Sequence, residues 1–230
     1  MANDIEAYFR ATQGRLIHKW MHYFDIYDRW FHPFRGQPIT LIELGVYHGG
    51  SLQMWRDYFG PHARIVGVDV DPRCAELGGP GTEVIIGDQD DREFLAGLAA
   101  KLESVDIVID DGGHRMTQQL GTLEELWPIV VPGGIYLAED LHTSYWPEYG
   151  GGPPGTATFL ERVKALVDDV NAWDAHGVVP VTQWTRTIRG LHVYDKVVVL
   201  EKAVIETPHH YAIGQLSFED PHIGDVPPPP

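Results

Sequence analysis

Residues 40–51 read TLIELGVYHGGS. Thr40 to Leu44 form a short apolar run, and the rest is a glycine-rich turn leading into a helical pattern. A run of this kind, closed by a turn and followed by a helix, starts a strand–turn–helix unit. Outward from it the pattern repeats. Strands are expected at 40–44, 64–68, 83–86, 105–109 and 135–138, with helices at about 50–59, 72–77, 90–101 and 116–130. Alternation of strand and helix predicts a parallel sheet covered on both faces. Pro132-Gly133-Gly134 reads as a helix stop and turn before the fifth strand. A Gly/Pro-rich loop, 148–155, precedes another helix at about 156–175. Two further apolar runs, 185–194 and 197–202, flank Asp195-Lys196 and suggest a hairpin. The expectation is an α/β fold with a mostly parallel seven-stranded sheet whose last strand is antiparallel.

The 230 residues show no internal repeat, and one domain is expected over 39–204. Residues 4–34 are rich in aromatics, and Leu16, Trp20, Tyr23, Tyr27 and Trp30 recur at intervals of three and four. That spacing predicts an amphipathic helix, so residues 1–38 are read as a helical segment packed on the sheet edge or on another subunit, with a lid or substrate wall as the alternative. Residues 205–230 contain His209-His210 and end in Pro227 to Pro230, a tail expected to be disordered. A homodimer or larger assembly is expected from the aromatic segment.

Lys and Arg total 17 against 33 acids, a formal charge of −16. Such a surface opposes nucleic-acid phosphates and anionic lipid, so neither is expected as a partner. No stretch reaches the roughly 20 apolar residues of a membrane span. MANDIEAYFRATQGR lacks a basic region followed by an apolar one, so no secretory leader is expected. The single cysteine, Cys74, excludes an internal disulfide and fits a reducing, cytoplasmic compartment.

The turn after the first strand offers Glu43, Gly45, Tyr47, Gly49 and Ser51. Glycines there let a ligand approach the backbone at a helix N-terminus. The G-x-x-x-G-G spacing differs from the G-x-G-x-x-G of dinucleotide binders, and no phosphate-loop motif is present. Asp69 ends the second strand, where a carboxylate can accept both ribose hydroxyls. Asp88 and Gln89 follow the third, within reach of an adenine edge. The implied ligand is an adenosine with a small tail.

Two acidic clusters follow the fourth and fifth strands: VIDDGGH, with Asp110, Asp111 and His114, and YLAEDLH, with Glu139 and Asp140. Parallel strands open their C-terminal ends onto one edge, where open α/β folds bind ligands. Asp111, Glu139 and Asp140 converging without a basic partner would repel one another. A hard divalent cation such as Mg²⁺ removes that conflict. His114 beside it would serve as a general base, because histidine ordinarily titrates near pH 6.5. Both Glu139 and Asp140 reach one ion only if the backbone turns between them. Asp110 is assigned to the small tail of that ligand or to supporting the site. His142, Tyr145 and Trp146 lie just beyond and are candidates for the acceptor wall.

These residues resemble the class I S-adenosylmethionine-dependent methyltransferases, whose Rossmann-like glycine loop commonly reads E-x-G-x-x-x-G-x-S. Glu43, Gly45, Gly49 and Ser51 match it. D-x-x-H with a downstream Glu-Asp pair is similar to the metal-dependent sugar O-methyltransferases of macrolide biosynthesis, the mycinamicin type. A further likeness is to the actinobacterial 1-O-methyltransferases of methylmannose polysaccharide synthesis. The resemblance covers roughly residues 38–145. It implies S-adenosylmethionine and Mg²⁺ as cofactors, Asp111, Glu139 and Asp140 as metal ligands, and His114 as the base for a sugar hydroxyl held at the metal. The acceptor implied is a carbohydrate or a glycosylated small molecule. Rival readings are a catechol-type metal-dependent O-methyltransferase, a nicotinamide or flavin oxidoreductase, and a non-catalytic cofactor-binding scaffold.

Overall fold

A computed structural model describes residues 3–215 and 217–218; the Pro227–Pro230 tail lies outside the described residues. Seven strands form one sheet: β1 (Thr40–Leu44), β2 (Arg64–Asp69), β3 (Thr82–Ile86), β4 (Val105–Asp110), β5 (Val130–Ala138), β6 (Ile188–Tyr194) and β7 (Val197–Lys202). Their order is β3-β2-β1-β4-β5-β7-β6, and β7 pairs antiparallel with both neighbours. The other strands therefore share one direction, as the sequence predicts. The order reverses at β1, with β2 on one side and β4 on the other. Crevices at such a switch point are where open α/β sheets take ligands.

Strand side chains alternate between two buried layers, the period-two signature of a sheet covered on both faces. Ile42, Val66, Val108 and Tyr136 pack with α4 (Arg92–Leu102), α5 (Met116–Leu126) and α6 (Phe159–Val170). Leu41, Ile65, Ile107 and Leu137 pack with α1 (Asp4–Ala11), α2 (Tyr23–Phe31) and α3 (Gly50–Phe59). A short α7 (Gln183–Thr187) precedes β6.

The amphipathic spacing over 4–34 corresponds to two helices, not one. Residues 12–22 contain no helix, so Leu16 and Trp20 do not continue the face that α2 presents. Gly14 weakens helix propagation there, and Leu16 and Trp20 are exposed while Phe24, Tyr27 and Phe31 are fully buried on the sheet. Each of those aromatics contributes on the order of 2 kcal/mol by burial. Two smaller differences have clear causes. Pro128 ends α5 at Leu126, and a 3₁₀ turn replaces its expected last residues. Pro132-Gly133-Gly134 lies inside β5 as an irregularity, with Val130 paired to Val105 and Ile135 to Ile107.

Candidate active site

The C-terminal ends of β1, β2, β4 and β5 open onto a cavity of about 680 Å³. That volume is in the range of small-molecule sites. Gly45 has φ +92°, and a Cβ there would lie 2.1 Å from the carbonyl oxygen of Asp111, so the glycine turn and the acid loop touch backbone to backbone. Gly50 meets the 12–22 segment just as closely: a Cβ there would lie 2.3 Å from the Leu16 carbonyl oxygen. The N-terminal segment thus lies directly on the glycine loop, and Leu16, Ile17 and Lys19 line the cavity.

Asp69 spends most of its carboxylate locally. Oδ2 accepts from the backbone N–H groups of Val46 and Tyr47 at 2.8 and 2.9 Å, and Oδ1 from Asp71 N–H at 2.9 Å. A carboxylate offers about four lone-pair positions, so about one remains for a ribose hydroxyl. Gln89 is buried and fully engaged. Its amide nitrogen donates to Asp110 Oδ1 at 2.6 Å and Thr122 Oγ1 at 2.9 Å, and its oxygen accepts from Gly113 N–H at 3.0 Å. Asp88 is exposed at the rim.

Of the expected cofactor contacts, Gly45, Tyr47, Ser51, Asp69, Asp88 and Gln89 line the cavity, whereas Glu43, Gly49 and Asp110 do not. Glu43 lies beneath, accepting from Ser51 Oγ at 2.7 Å and Trp55 Nε1 at 2.9 Å. Burial pushes its carboxyl up to about 7, against the opposing pull of Lys19. Asp110 is completely buried, and its Oδ2 accepts from Tyr136 OH at 3.1 Å. Burial raises its pKa, and the Gln89 bond works the other way. Asp110 and Gln89 together tie the loop after β3 to the one after β4.

The acid cluster divides at Glu139. Asp140 adopts a left-handed backbone (φ 54°, ψ 37°), the turn that sequence reasoning required between the two acids. Glu139 goes inward and is fully buried, with Oε1 accepting from Tyr27 OH at 2.6 Å and Oε2 from Lys19 Nζ at 2.9 Å. Asp140 faces the cavity. Asp111, His114 and Asp140 come together, each offering one donor atom within 4.8 Å of the others. His114 Nε2 stands 3.7 Å from Asp111 Oδ1 and 3.6 Å from Asp140 Oδ2. Its Nδ1 is buried with no hydrogen-bond partner among the described residues. His114 also takes a left-handed backbone, φ 55°, a conformation uncommon outside glycine and frequent at functional sites.

Lys19 is the residue that sequence reasoning missed. Its ammonium donates to Asp111 Oδ2 at 2.5 Å as well as to Glu139, and lies 3.9 Å from Glu43 Oε1. Burial alone would lower its pKa, but the charges of Asp111, Glu139 and Glu43 outweigh burial and hold it above the usual lysine value. Burial and the charge of Asp111 push the Glu139 carboxyl well above its ordinary range. The deep acids therefore have a protein cation of their own. Lys19 comes from a segment distant in sequence, and nothing local marks it.

The open half of the cluster suits a metal. Asp111 and Asp140 present hard oxygen donors, the His114 imidazole stands beside them, and all three are partly exposed to the cavity. His142, Tyr145 and Trp146 do not line the cavity, and Tyr145 and Trp146 are exposed. Trp20, half exposed, joins them: its ring meets His142 edge-on at 6.3 Å, and His142 meets Trp146 at 4.7 Å.

Residues 42–141 match the family model described as "Methyltransferase domain". The chain is 38% identical over 195 residues to the 8-demethyl-8-(2-methoxy-alpha-L-rhamnosyl)-tetracenomycin-C 3'-O-methyltransferase of Streptomyces olivaceus, covering 80% of this chain and 50% of that protein. It is 36% identical over 199 residues to the mycinamicin VI 2''-O-methyltransferase of Micromonospora griseorubida, covering 79% and 48%. The chain spans about half the length of the relatives it matches. Among solved structures it is similar to the MycE methyltransferase of the mycinamycin pathway in complex with Mg, SAH and mycinamycin VI. The TM-score is 0.76 at 33% identity, covering 87% of this chain and 53% of that one.

Proposed function

This chain belongs to the class I S-adenosylmethionine-dependent methyltransferases related to the macrolide-sugar O-methyltransferases, and on that premise we propose that it methylates a carbohydrate hydroxyl with the help of a hard divalent cation, Mg²⁺ in the first place. The observation that carries the reading is the grouping of Asp111, His114 and Asp140 at the mouth of the glycine-loop cavity.

Asp111 and Asp140 would hold the cation; Glu139, expected as the third ligand, has its two oxygens taken by Tyr27 and Lys19 and would support Asp111 from beneath through Lys19. Lewis-acid stabilisation of the negative charge developing on the acceptor oxygen is the chemistry such an ion supplies when bound. S-adenosylmethionine supplies a methyl group already activated on a sulfonium, so no covalent enzyme intermediate is needed. His114 Nε2 is the base that takes the acceptor's proton, poised over the gap between the two carboxylates. The cavity walls supply the rest by holding the two reactants in line, an orientation effect worth several kcal/mol. Gly45, Tyr47, Ser51, Asp69 and Asp88 are the cofactor contacts we assign. Glu43, Gly49, Gln89 and Asp110 shape the loops that carry them.

The acceptor wall is assigned to His142, Tyr145 and Trp146. Aromatic faces beside a metal site suit the apolar C–H face of a sugar. Among the described residues no helix is long and apolar enough to cross a membrane. A cytoplasmic site of action, a homo-oligomeric assembly and a methyltransferase domain spanning 39–204 between an N-terminal segment and a C-terminal tail complete the proposal.

The test is a methyl-transfer screen over mono- and oligosaccharides, with Mg²⁺ or with excess chelator, reading the product position by NMR. Metal-dependent transfer to a sugar hydroxyl is expected. Transfer that persists undiminished in chelator rejects the metal role, and transfer to catechols alone rejects the acceptor class.

A further inference from the structure

The two carboxylates that face His114 are each divided in the same way. Asp111 gives Oδ2 to Lys19 Nζ and turns Oδ1 toward His114. Asp140 gives Oδ1 to Tyr23 OH at 2.6 Å and to Trp20 Nε1 at 3.1 Å, and turns Oδ2 toward His114. One oxygen of each acid is tied back to the N-terminal segment, and the other is left to the shared gap. All three donors lie within residues 19–23, from a part of the chain that contributes no acid to the cluster.

An aspartate side chain rotates broadly about its last torsion. Nothing in the loops after β4 and β5 would by itself choose which oxygen faces His114. We propose that Lys19, Trp20 and Tyr23 are the positioning residues of the metal centre, setting Asp111 and Asp140 as one-oxygen ligands aimed at a single ion. The inference rests on the metal reading above and extends it to residues outside the acid and histidine motifs. Hydrogen bonds to ligating carboxylates are worth 10- to 100-fold in metal affinity or activity in other metal sites. Tyr23 and Trp20 are neutral, so their removal tests orientation without changing the charge of the cluster.

The experiment is Mn²⁺ binding followed by electron paramagnetic resonance of the full chain, without cofactor or acceptor, for the wild type, Tyr23→Phe and the double variant Tyr23→Phe/Trp20→Phe. S-adenosylmethionine affinity is measured in parallel by calorimetry. The single change should weaken Mn²⁺ about tenfold and the double change further, with cofactor affinity held within twofold. Mn²⁺ affinity within twofold of wild type in the folded double variant overturns the proposal while leaving the metal reading standing. A parallel loss of cofactor affinity also overturns it, because that marks general loosening of the site. Failure of the wild type itself to bind Mn²⁺ brings down both.

Discussion

Glu139 and Asp140 are neighbours in the chain, yet Tyr27 binds the first in the protein interior and Tyr23 binds the second at the cavity wall. The left-handed backbone at Asp140 sends the two carboxylates apart. One turn of α2, with Tyr23 and Tyr27 four residues apart on it, receives them both. An acid pair that looks redundant in sequence is therefore split between a buried charge cluster and the open cavity.

Replacing Lys19 with Met leaves Asp111, Glu139 and Glu43 without their buried cation. Removing one partner from a buried ionic group costs about 3–5 kcal/mol. The loss should appear in denaturant unfolding carried out in chelator, and added Mg²⁺ should recover part of it. An unfolding midpoint equal to wild type in chelator would show that the ammonium contributes nothing there.

His114→Ala removes the proposed base but no ligand of the glycine loop. Methyl transfer should fall by about 10²–10⁴-fold, with S-adenosylmethionine affinity near wild type. Single-turnover kinetics beside a calorimetric titration separates the two quantities. A rate within threefold of wild type would reassign the imidazole to a structural role.

Gly45→Ala combines a side chain at φ +92° with a Cβ 2.1 Å from the Asp111 carbonyl oxygen. The backbone strain costs about 1–3 kcal/mol, and relief requires the β4 loop to move. Both thermal stability and Mn²⁺ affinity should drop, since Asp111 moves with its carbonyl. Lower stability with unchanged metal binding would show the two loops to be uncoupled.

Lys202 is buried against Trp127, donating to its carbonyl oxygen at 2.7 Å with the ammonium 4.5 Å from the indole ring centre. Burial lowers its pKa to about 8, below the ordinary 10.5. Between those values the unfolded chain holds the proton and the folded chain releases it, so stability from this group rises with pH from 8 to 10.5, and the penalty for the buried charge is fully present below 8. Lys202→Met should be more stable than wild type at pH 7 by about 1–3 kcal/mol, with the gap closing toward pH 10.5. Unfolding free energies measured across that range decide it; a constant difference would remove the ammonium from the explanation.

Much of this fold was legible in local pattern. The apolar run at 40–44, the turn after it, the repeated alternation downstream and the hairpin signal at 195–196 led to a mostly parallel sheet with an antiparallel last strand, because strand burial and turn chemistry act within a few residues. The aromatic segment was legible only as amphipathic. Its break at 12–22 follows from what the glycine loop and the acid cluster demand of Leu16 and Lys19, contacts that no helical period encodes.

For the site the division is equally clear. Sequence alone located Asp111, His114, Glu139 and Asp140 at strand ends and grouped them by motif, since parallel strands must open on a common edge. It had no means of supplying the cation between them: Lys19 stands far upstream and is adjacent to the acids only after α2 docks on the sheet. Tertiary structure alone decided which oxygens are already satisfied and which remain to bind, because a carboxylate's orientation is set by whatever donors packing brings within 3 Å of it.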